Sequence, residues 1–346
     1  MNTITSLDYF YALSSTFILV SILTPVMRKI AFNLKLVDRP NFSHKTHTIP
    51  VPYLGGLAII IGIFSVSYFG LIIRDRTSNE FFIASSLFIP ALLLGMIGLI
   101  DDIKNLSPFS RLVAQTIAGS FTALVLILTD TFGNPTGKVY LDTIITVVWI
   151  VGITNSINFF DNLDGGATGT VAVTSFGLFI IAHHNGQYFL AALAIITFGA
   201  MLGFLLWNNS PARIYMGDTG ALFLGVLISA LSLRLNTAVD EKLTSFAIPI
   251  LLLAIPILDT SVAVLSRLKR KISPFQGGRD HLSHRLLRRG LTKRQSAYAL
   301  WSLSAIFAAI AVTLATTGTH SKFIVGLAIS FWVGLFALFI TSKDSD

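Results

Sequence analysis

The chain has 346 residues, 53% of them hydrophobic and only 12% charged, with a mean hydropathy of +0.74. Soluble domains carry about 25% charged residues, so an ordinary soluble fold is excluded. The formal charge of +8 fits basic loops at a membrane face rather than a nucleic-acid partner, and the absence of cysteine excludes disulfides, thiolate catalysis and cysteine metal sites.

Lipid offers no partners to backbone polar groups, so the chain must form helices or a closed barrel, and long apolar runs without strict alternation select helices. The expected fold is an all-α integral membrane bundle of about eleven transmembrane helices. The spans read, in chain order, 9–30, 54–73, 81–100, 111–129, 143–160, 166–183, 188–207, 219–235, 244–267, 297–316 and 322–341. The first follows Asp8 and lacks a basic lead-in and a small-residue cleavage site, so it is expected to stay as a helix. No polar stretch is long enough to bury a core of its own, and residues 1–346 read as a single polytopic domain. Eleven spans put the termini on opposite sides. With the N-terminus outside, nineteen of the 25 Lys and Arg fall on the inner side and six on the outer, which selects N-out, C-in.

On that topology every cluster of polar residues at a span end is cytoplasmic. Asp101 and Asp102 end the third span; alone they would make an ordinary solvated helix boundary, but Asn105 and Arg111 follow, a set able to hold and orient a phosphate. Asn155, Asn158, Asp161 and Asp164 recur at steps of three, which aligns them on one helical face. A turn with an N-cap would account for Asp164, though not for two Asn inside the membrane end of a helix. Asp218, within Met216-Gly217-Asp218-Thr219-Gly220, reads as an N-cap for the eighth span, as a Mg²⁺ ligand facing phosphate oxygens, or as both.

His281 and His284 sit in the most basic loop at a spacing of three, without further His or Cys to complete a zinc site. Anion recognition with Arg279 and Arg285 competes there with a plain lipid-facing basic loop. Asp259 lies inside the ninth span after Pro249 and Pro256; an unpaired acid at a helix centre costs about 3 kcal/mol, so it must face the bundle. It either supports the site from behind or marks an ion pathway. From the residues alone, the chemistry is a Mg²⁺-assisted reaction between phosphorylated partners, one of them a lipid phosphate, with a transporter and a lipid phosphatase as alternatives.

Taken together the motifs are more specific. Asp38-Arg39-Pro40 with His44, Lys45, His47 and the 50–56 stretch, then Asp101-Asp102 with Asn105 and Arg111, residues 155–165, residues 216–220, Asp259, and residues 279–285 run in order over nearly the whole chain. In this the chain resembles the polyprenyl-phosphate N-acetylhexosamine-1-phosphate transferases (glycosyltransferase family 4), and most of all the bacterial undecaprenyl-phosphate N-acetylglucosamine-1-phosphate branch. The resemblance implies Mg²⁺-dependent transfer of a sugar-1-phosphate, most of all N-acetylglucosamine-1-phosphate, from a UDP-sugar to undecaprenyl phosphate. UMP is released and a lipid-linked cell-envelope glycan is started. Other UDP-N-acetylhexosamine or muramoyl-pentapeptide donors stay open. It implies metal ligation by Asp218 and Asn158, with Mn²⁺ as a substitute ion. Asp101 and Asp102 would position or deprotonate the lipid phosphate, and Lys45, Asn105 and Arg111 would bind it. Asp161 and Asp164, with Asn155, would serve the nucleotide-sugar side, and Arg279, His281 and His284 the diphosphate or sugar. It also implies a multi-pass protein of the inner (plasma) membrane with its active site facing the cytoplasm, and leaves room for a homodimer. Two positions depart from the family pattern: Asn162 stands where many members have Gly, and Ser283 interrupts what is often a denser histidine cluster.

Overall fold

The computed structural model describes residues 4–38, 50–74, 77–274, 278–317 and 321–341. The helices are α1 (Ser6–Asn33), α2 (Gly55–Ile73), α3 (Ser78–Lys104), α4 (Pro108–Leu128), α5 (Val139–Phe160), α6 (Gly166–His184), α7 (Tyr188–Asn208), α8 (Gly217–Arg234), α9 (Lys242–Leu252), α10 (Ala254–Lys269), α11 (Leu282–Arg288), α12 (Lys293–Thr317) and α13 (Ser321–Ile340). Two short strands, β1 (Val37–Asp38) and β2 (Val51–Pro52), pair antiparallel, with Val37 opposite Pro52. Among the described residues ten helices are long and apolar enough to cross a membrane, and an eleventh span is the bent pair α9–α10. The chain is a multi-pass membrane protein.

The ninth span, read over 244–267 and broken by its prolines, is bent by 76° at Leu253. Pro256 has no N–H for the carbonyl of Leu252, four residues back. The Thr174 hydroxyl of α6 donates to that carbonyl instead at 2.8 Å, and the Trp332 indole of α13 donates to the Ala254 carbonyl at 3.0 Å. Neighbouring helices thus satisfy the polar groups that the break frees, which is what a membrane interior requires.

Helix α8 is the hub. Every residue from Thr219 to Arg234 is buried, and α2, α3 and α5 pack around it. A helix that is apolar on all sides must sit inside the bundle. Its first turn is reached closely by its neighbours. A Cβ on Gly98 of α3 would lie 2.3 Å from the Asp218 carbonyl, so only glycine lets α3 approach there. At the start of α2, the N–H groups of Gly55 and Gly56 donate to the carbonyls of Tyr215 and Met216 at 3.0 and 2.9 Å, and just before it the Tyr215 N–H donates to Pro52 O at 2.9 Å. The 50–56 stretch is thereby laced to the segment that carries Asp218.

Candidate active site

The C-terminal ends of α3 and α5 and the N-terminal ends of α4 and α8 converge on one end of the bundle. At their centre the Asp218 carboxylate accepts from the Asn158 side-chain amide at 2.5 Å and from Arg111 Nη1 at 3.4 Å. Arg111 also donates to Asp101 Oδ2 at 2.9 Å, so one guanidinium spans two carboxylates. The Arg111 and Asp218 side chains keep 27% and 30% of their surface, whereas Asp101 keeps 4%. The first two are open to a ligand. Asp101 is support: its second oxygen accepts the Leu106 N–H at 2.6 Å, which fixes the turn between α3 and α4.

Asp218 does not cap α8, contrary to one of the two sequence readings. The helix begins after Met216, whose side chain makes no capping bond, and Asp218 stands in the first turn. The cap comes from another helix. Asp102 of α3 accepts the N–H of Asp218 at 2.9 Å through Oδ1, and the N–H and hydroxyl of Thr219 at 3.1 and 2.7 Å through Oδ2. Two orphan donors of the helix end are satisfied in this way, and the charge lies at the positive end of the helix dipole. Gly217, at φ +69°, makes room: a Cβ there would lie 2.6 Å from Asp102 Oδ2. With Asp102 as cap, Asp218 can turn both oxygens toward Asn158 and Arg111.

The step-of-three series divides. Asn155 pairs with Gln115 of α4, its amide donating to Gln115 Oε1 at 2.6 Å, beside a small crevice that Arg111 and Asn158 also line. Asn158 reaches Asp218. Asp161 ends α5 with no hydrogen bond to its side chain among the described residues, and burial, aided by the charges of Asp102 and Asp164, pushes its carboxyl up to about 7. Asp164 is held by the Ala212 N–H at 3.2 Å and the Tyr215 hydroxyl at 3.4 Å, with Lys293 Nζ at 3.6 Å. Burial and the neighbouring Asp164 push the Tyr215 phenol upward, so it stays a donor. Tyr215 and Lys293 were not singled out in the sequence, since their closeness to Asp164 arises only from tertiary packing. Asn105 is the left-handed C-cap of α3, with φ 52° and its N–H on the Asp101 carbonyl at 2.8 Å. Lys45, with His44 and His47, lies outside the described residues.

The basic loop is more structural than expected. Asp259 of α10 accepts from His281 Nδ1 at 2.7 Å and from the Leu282 N–H at 2.7 Å. Arg267 donates to His281 Nε2 at 3.1 Å, which makes that nitrogen the acceptor and puts the ring proton on Nδ1, toward Asp259. His281 is therefore buried with both nitrogens engaged. Arg267 also pairs with Asp280 at 3.0 Å, as does Arg270. Arg285, expected to help receive an anion, is buried on the Asp280 and Phe339 carbonyls and the Ser266 hydroxyl, because its fork ties α11 to α10 and α13. Arg279 is exposed and His284 half-buried. Burial, reinforced by His281, Arg279 and Arg288, holds the His284 ring down to about 4, so near neutral pH it is an uncharged hydrogen-bonding group. Ser283 and Asn162, the two departures from the family pattern, are hydrogen-bonded to each other.

Among the described residues no three acids or histidines converge as a closed metal cage. Mg²⁺ needs none, since it is commonly held by one or two carboxylates together with substrate phosphates and water. Asp218 could supply such a carboxylate, and the Asn158 amide oxygen would face it after a half-turn of the amide.

A model of glycosyl transferase family 4 matches residues 84–236, which hold Asp101, Asp102, Arg111, Asn158, Asp161, Asp164 and Asp218. A probable undecaprenyl-phosphate N-acetylglucosaminyl 1-phosphate transferase of Bacillus subtilis (strain 168) is 33% identical over 327 residues, covering 93% of this chain and 86% of the relative. The chain belongs to glycosyl transferase family 4. Also similar to it are a decaprenyl-phosphate N-acetylglucosaminephosphotransferase of Mycolicibacterium smegmatis, 28% identical over 88% of this chain and 81% of the relative, and a phospho-N-acetylmuramoyl-pentapeptide-transferase of Staphylococcus saprophyticus, 32% identical over 76% and 87%. The polyprenyl-phosphate N-acetylhexosamine-1-phosphate transferase resemblance read from the motifs is this family.

Proposed function

We propose that the protein transfers N-acetylglucosamine-1-phosphate from UDP-N-acetylglucosamine to undecaprenyl phosphate. An oxygen of the lipid phosphate attacks the β-phosphorus of the UDP-sugar, the bond from that phosphorus to the bridging oxygen breaks, and UMP leaves. The observation that carries the reading is the Asp101–Arg111–Asp218–Asn158 chain of contacts at one end of the bundle, in a sequence aligned over most of its length with the Bacillus transferase. Anion attacking anion requires charge neutralisation at the reacting phosphates.

Asp218 and Asn158 would hold Mg²⁺, which supplies that neutralisation at the diphosphate. Arg111 lies next to them, open enough to receive the lipid phosphate and fixed in direction by buried Asp101. Asp102 keeps the first turn of α8 in place and so acts as a positioning residue. Asp161, unbonded and titrating near neutrality, takes the proton when the lipid phosphate arrives as a monoanion. Asp164, with Tyr215 and Lys293, holds the loop between α5 and α6 against the segment before α8 on the nucleotide-sugar side. Arg279 and His284 face the sugar or diphosphate, and Asp259, His281 and Arg267 fix the loop that presents them. The site faces the cytoplasm, as the bias of Lys and Arg supports.

The similarity to the staphylococcal muramoyl-pentapeptide enzyme supports a second donor class at the same site. The two features that motivated a transporter, Asp259 and the broken ninth span, each have structural partners: His281 and Leu282 for the carboxylate, Thr174 and Trp332 for the carbonyls at the break. Purified protein with Mg²⁺, undecaprenyl phosphate and a panel of UDP-N-acetylhexosamines is expected to release UMP and yield a chloroform-soluble sugar lipid with UDP-N-acetylglucosamine. Failure of every donor by folded protein would overturn the proposal.

A further inference from the structure

At the opposite end of the bundle, one length of α8 (roughly 25 Å) from Asp218, lies a cavity of about 810 Å³. Arg234, the last residue of α8, lines it and is only 5% exposed. Its guanidinium donates to the Ser86 hydroxyl at 2.9 Å and to the Thr131 hydroxyl, and its buried Nε has no partner among the described residues. No carboxylate pairs with it among the described residues. Glu80 and Asp130 line the same cavity without reaching ion-pair distance of Arg234, and Glu80 accepts from the Thr77 N–H of the α3 capping box. A buried cation without a counter-charge is costly in a protein interior.

The first turn of α7, Tyr188 to Leu190, opens on the same cavity. Its N–H groups have no helical acceptor, and the residue that should cap them is committed elsewhere. The Gln187 side chain makes no cap; it donates to the Arg234 carbonyl at 3.0 Å and accepts the Asn236 N–H at 2.9 Å. The cavity thus joins an uncompensated guanidinium to an uncapped helix N-terminus, both of which favour negative charge.

We infer that this cavity binds a phosphate-bearing anion, at a site separate from the transferase centre and independent of the reading given for that centre. Apolar Ile83, Phe132 and Phe189 share the lining, which suits the headgroup of an anionic phospholipid with its chains along the bundle. On the proposed orientation this is the outer face of the membrane.

The test uses the full-length protein in a neutral detergent, with thermal midpoint and equilibrium binding read against dioctanoyl-phosphatidylglycerol, dioctanoyl-phosphatidylcholine and inorganic phosphate. Phosphatidylglycerol is expected to bind saturably and raise the midpoint, with phosphatidylcholine at least tenfold weaker. Arg234→Gln is expected to weaken the phosphatidylglycerol by tenfold or more. Asn79→Trp, which narrows the cavity without touching Arg234, should do the same while leaving UMP release unchanged. Saturable binding of inorganic phosphate at equal strength, lost in both variants, would support the anion site and assign it to free phosphate instead of a lipid. Absence of binding by either anion overturns the inference, as does unchanged binding in folded Asn79→Trp, a result that stands even where Arg234→Gln fails to fold.

Discussion

Replacement of Asp102 separates the capping role from a chemical one. In Asp102→Ala the N–H groups of Asp218 and Thr219 and the Thr219 hydroxyl lose their acceptor at a helix end that is packed against α2 and α3. Loss of a cap costs about 1 kcal/mol, and leaving buried donors without partners adds about 1–3 kcal/mol, so the variant should be destabilised by about 2–4 kcal/mol. Activity should fall with it, because Asp218 shifts with its turn. Asp102→Asn retains one acceptor oxygen, and Asn is among the best capping residues. It should therefore recover more than half of the lost stability and measurable UMP release. Thermal unfolding in detergent and UMP release, measured on the same preparations, give both readouts. A protein in which Asn is as inactive as Ala, while both melt with the wild type, would refute the capping argument and return Asp102 to direct action on the lipid phosphate.

Asp218→Ala should lose nearly all activity with little change in melting, since among the described residues its carboxylate bonds only to the Asn158 and Arg111 side chains of the site; UMP release beside a melting curve checks this. Asp142→Ala removes the acceptor of the Thr136 N–H at the far end of the bundle, and is expected to cost about 1 kcal/mol of stability yet remain active. A folded but inactive Asp142→Ala would undermine the placement of the chemistry at one end. Asp161 has its folded-state value raised to about 7 from the ordinary carboxylate range, so the folded protein holds a proton that the unfolded chain gives up near pH 4. Its contribution therefore declines as pH rises from about 4 to 7, and Asp161→Asn should raise the melting temperature at pH 8 but not at pH 4. Equal effects at both pH values would contradict the burial argument.

The spans, their number and the clustering of polar groups at their ends were legible because each rests on runs of local composition. The identity of Asp218 as an accessible carboxylate was legible too, since glycine-flanked acids between apolar runs have few other uses. What could not be read was which acid serves which partner. Asp101 and Asp102 are adjacent, yet one turns to Arg111 and Leu106 and the other to α8, a division set by helix rotation and by the glycines that admit close approach. The break at Leu253 was half-legible: Pro256 announces a lost hydrogen bond, but only the position of Thr174 on α6 makes the break tolerable in lipid. His281 looked like a ligand for substrate because its burial depends on Asp259, 22 residues away.

The basic loop gains a physical account from the same contacts. A seven-residue helix such as α11 has too few internal bonds to be stable alone. It is held at its start by Asp259 on the Leu282 N–H, along its length by Arg285 on three oxygens from α10, α13 and the loop itself, and at its flank by Ser283 on Asn162. Asn162 follows directly on Asp161. The bond between the two atypical positions therefore joins the loop that ends α5 to the loop that presents Arg279 and His284. A glycine at position 162 would offer no side chain to Ser283, and a histidine at 283 could not keep the same short reach to Asn162. Each departure makes sense given the other, so the pair acts as one positional tie between the Asp161 and His284 sides of the site. Its natural comparison is the double replacement Asn162→Gly with Ser283→His. If the tie is the reason for both residues, the double variant should be closer to wild type in melting and UMP release than the sum of the two single changes predicts, and strict additivity would remove that reason.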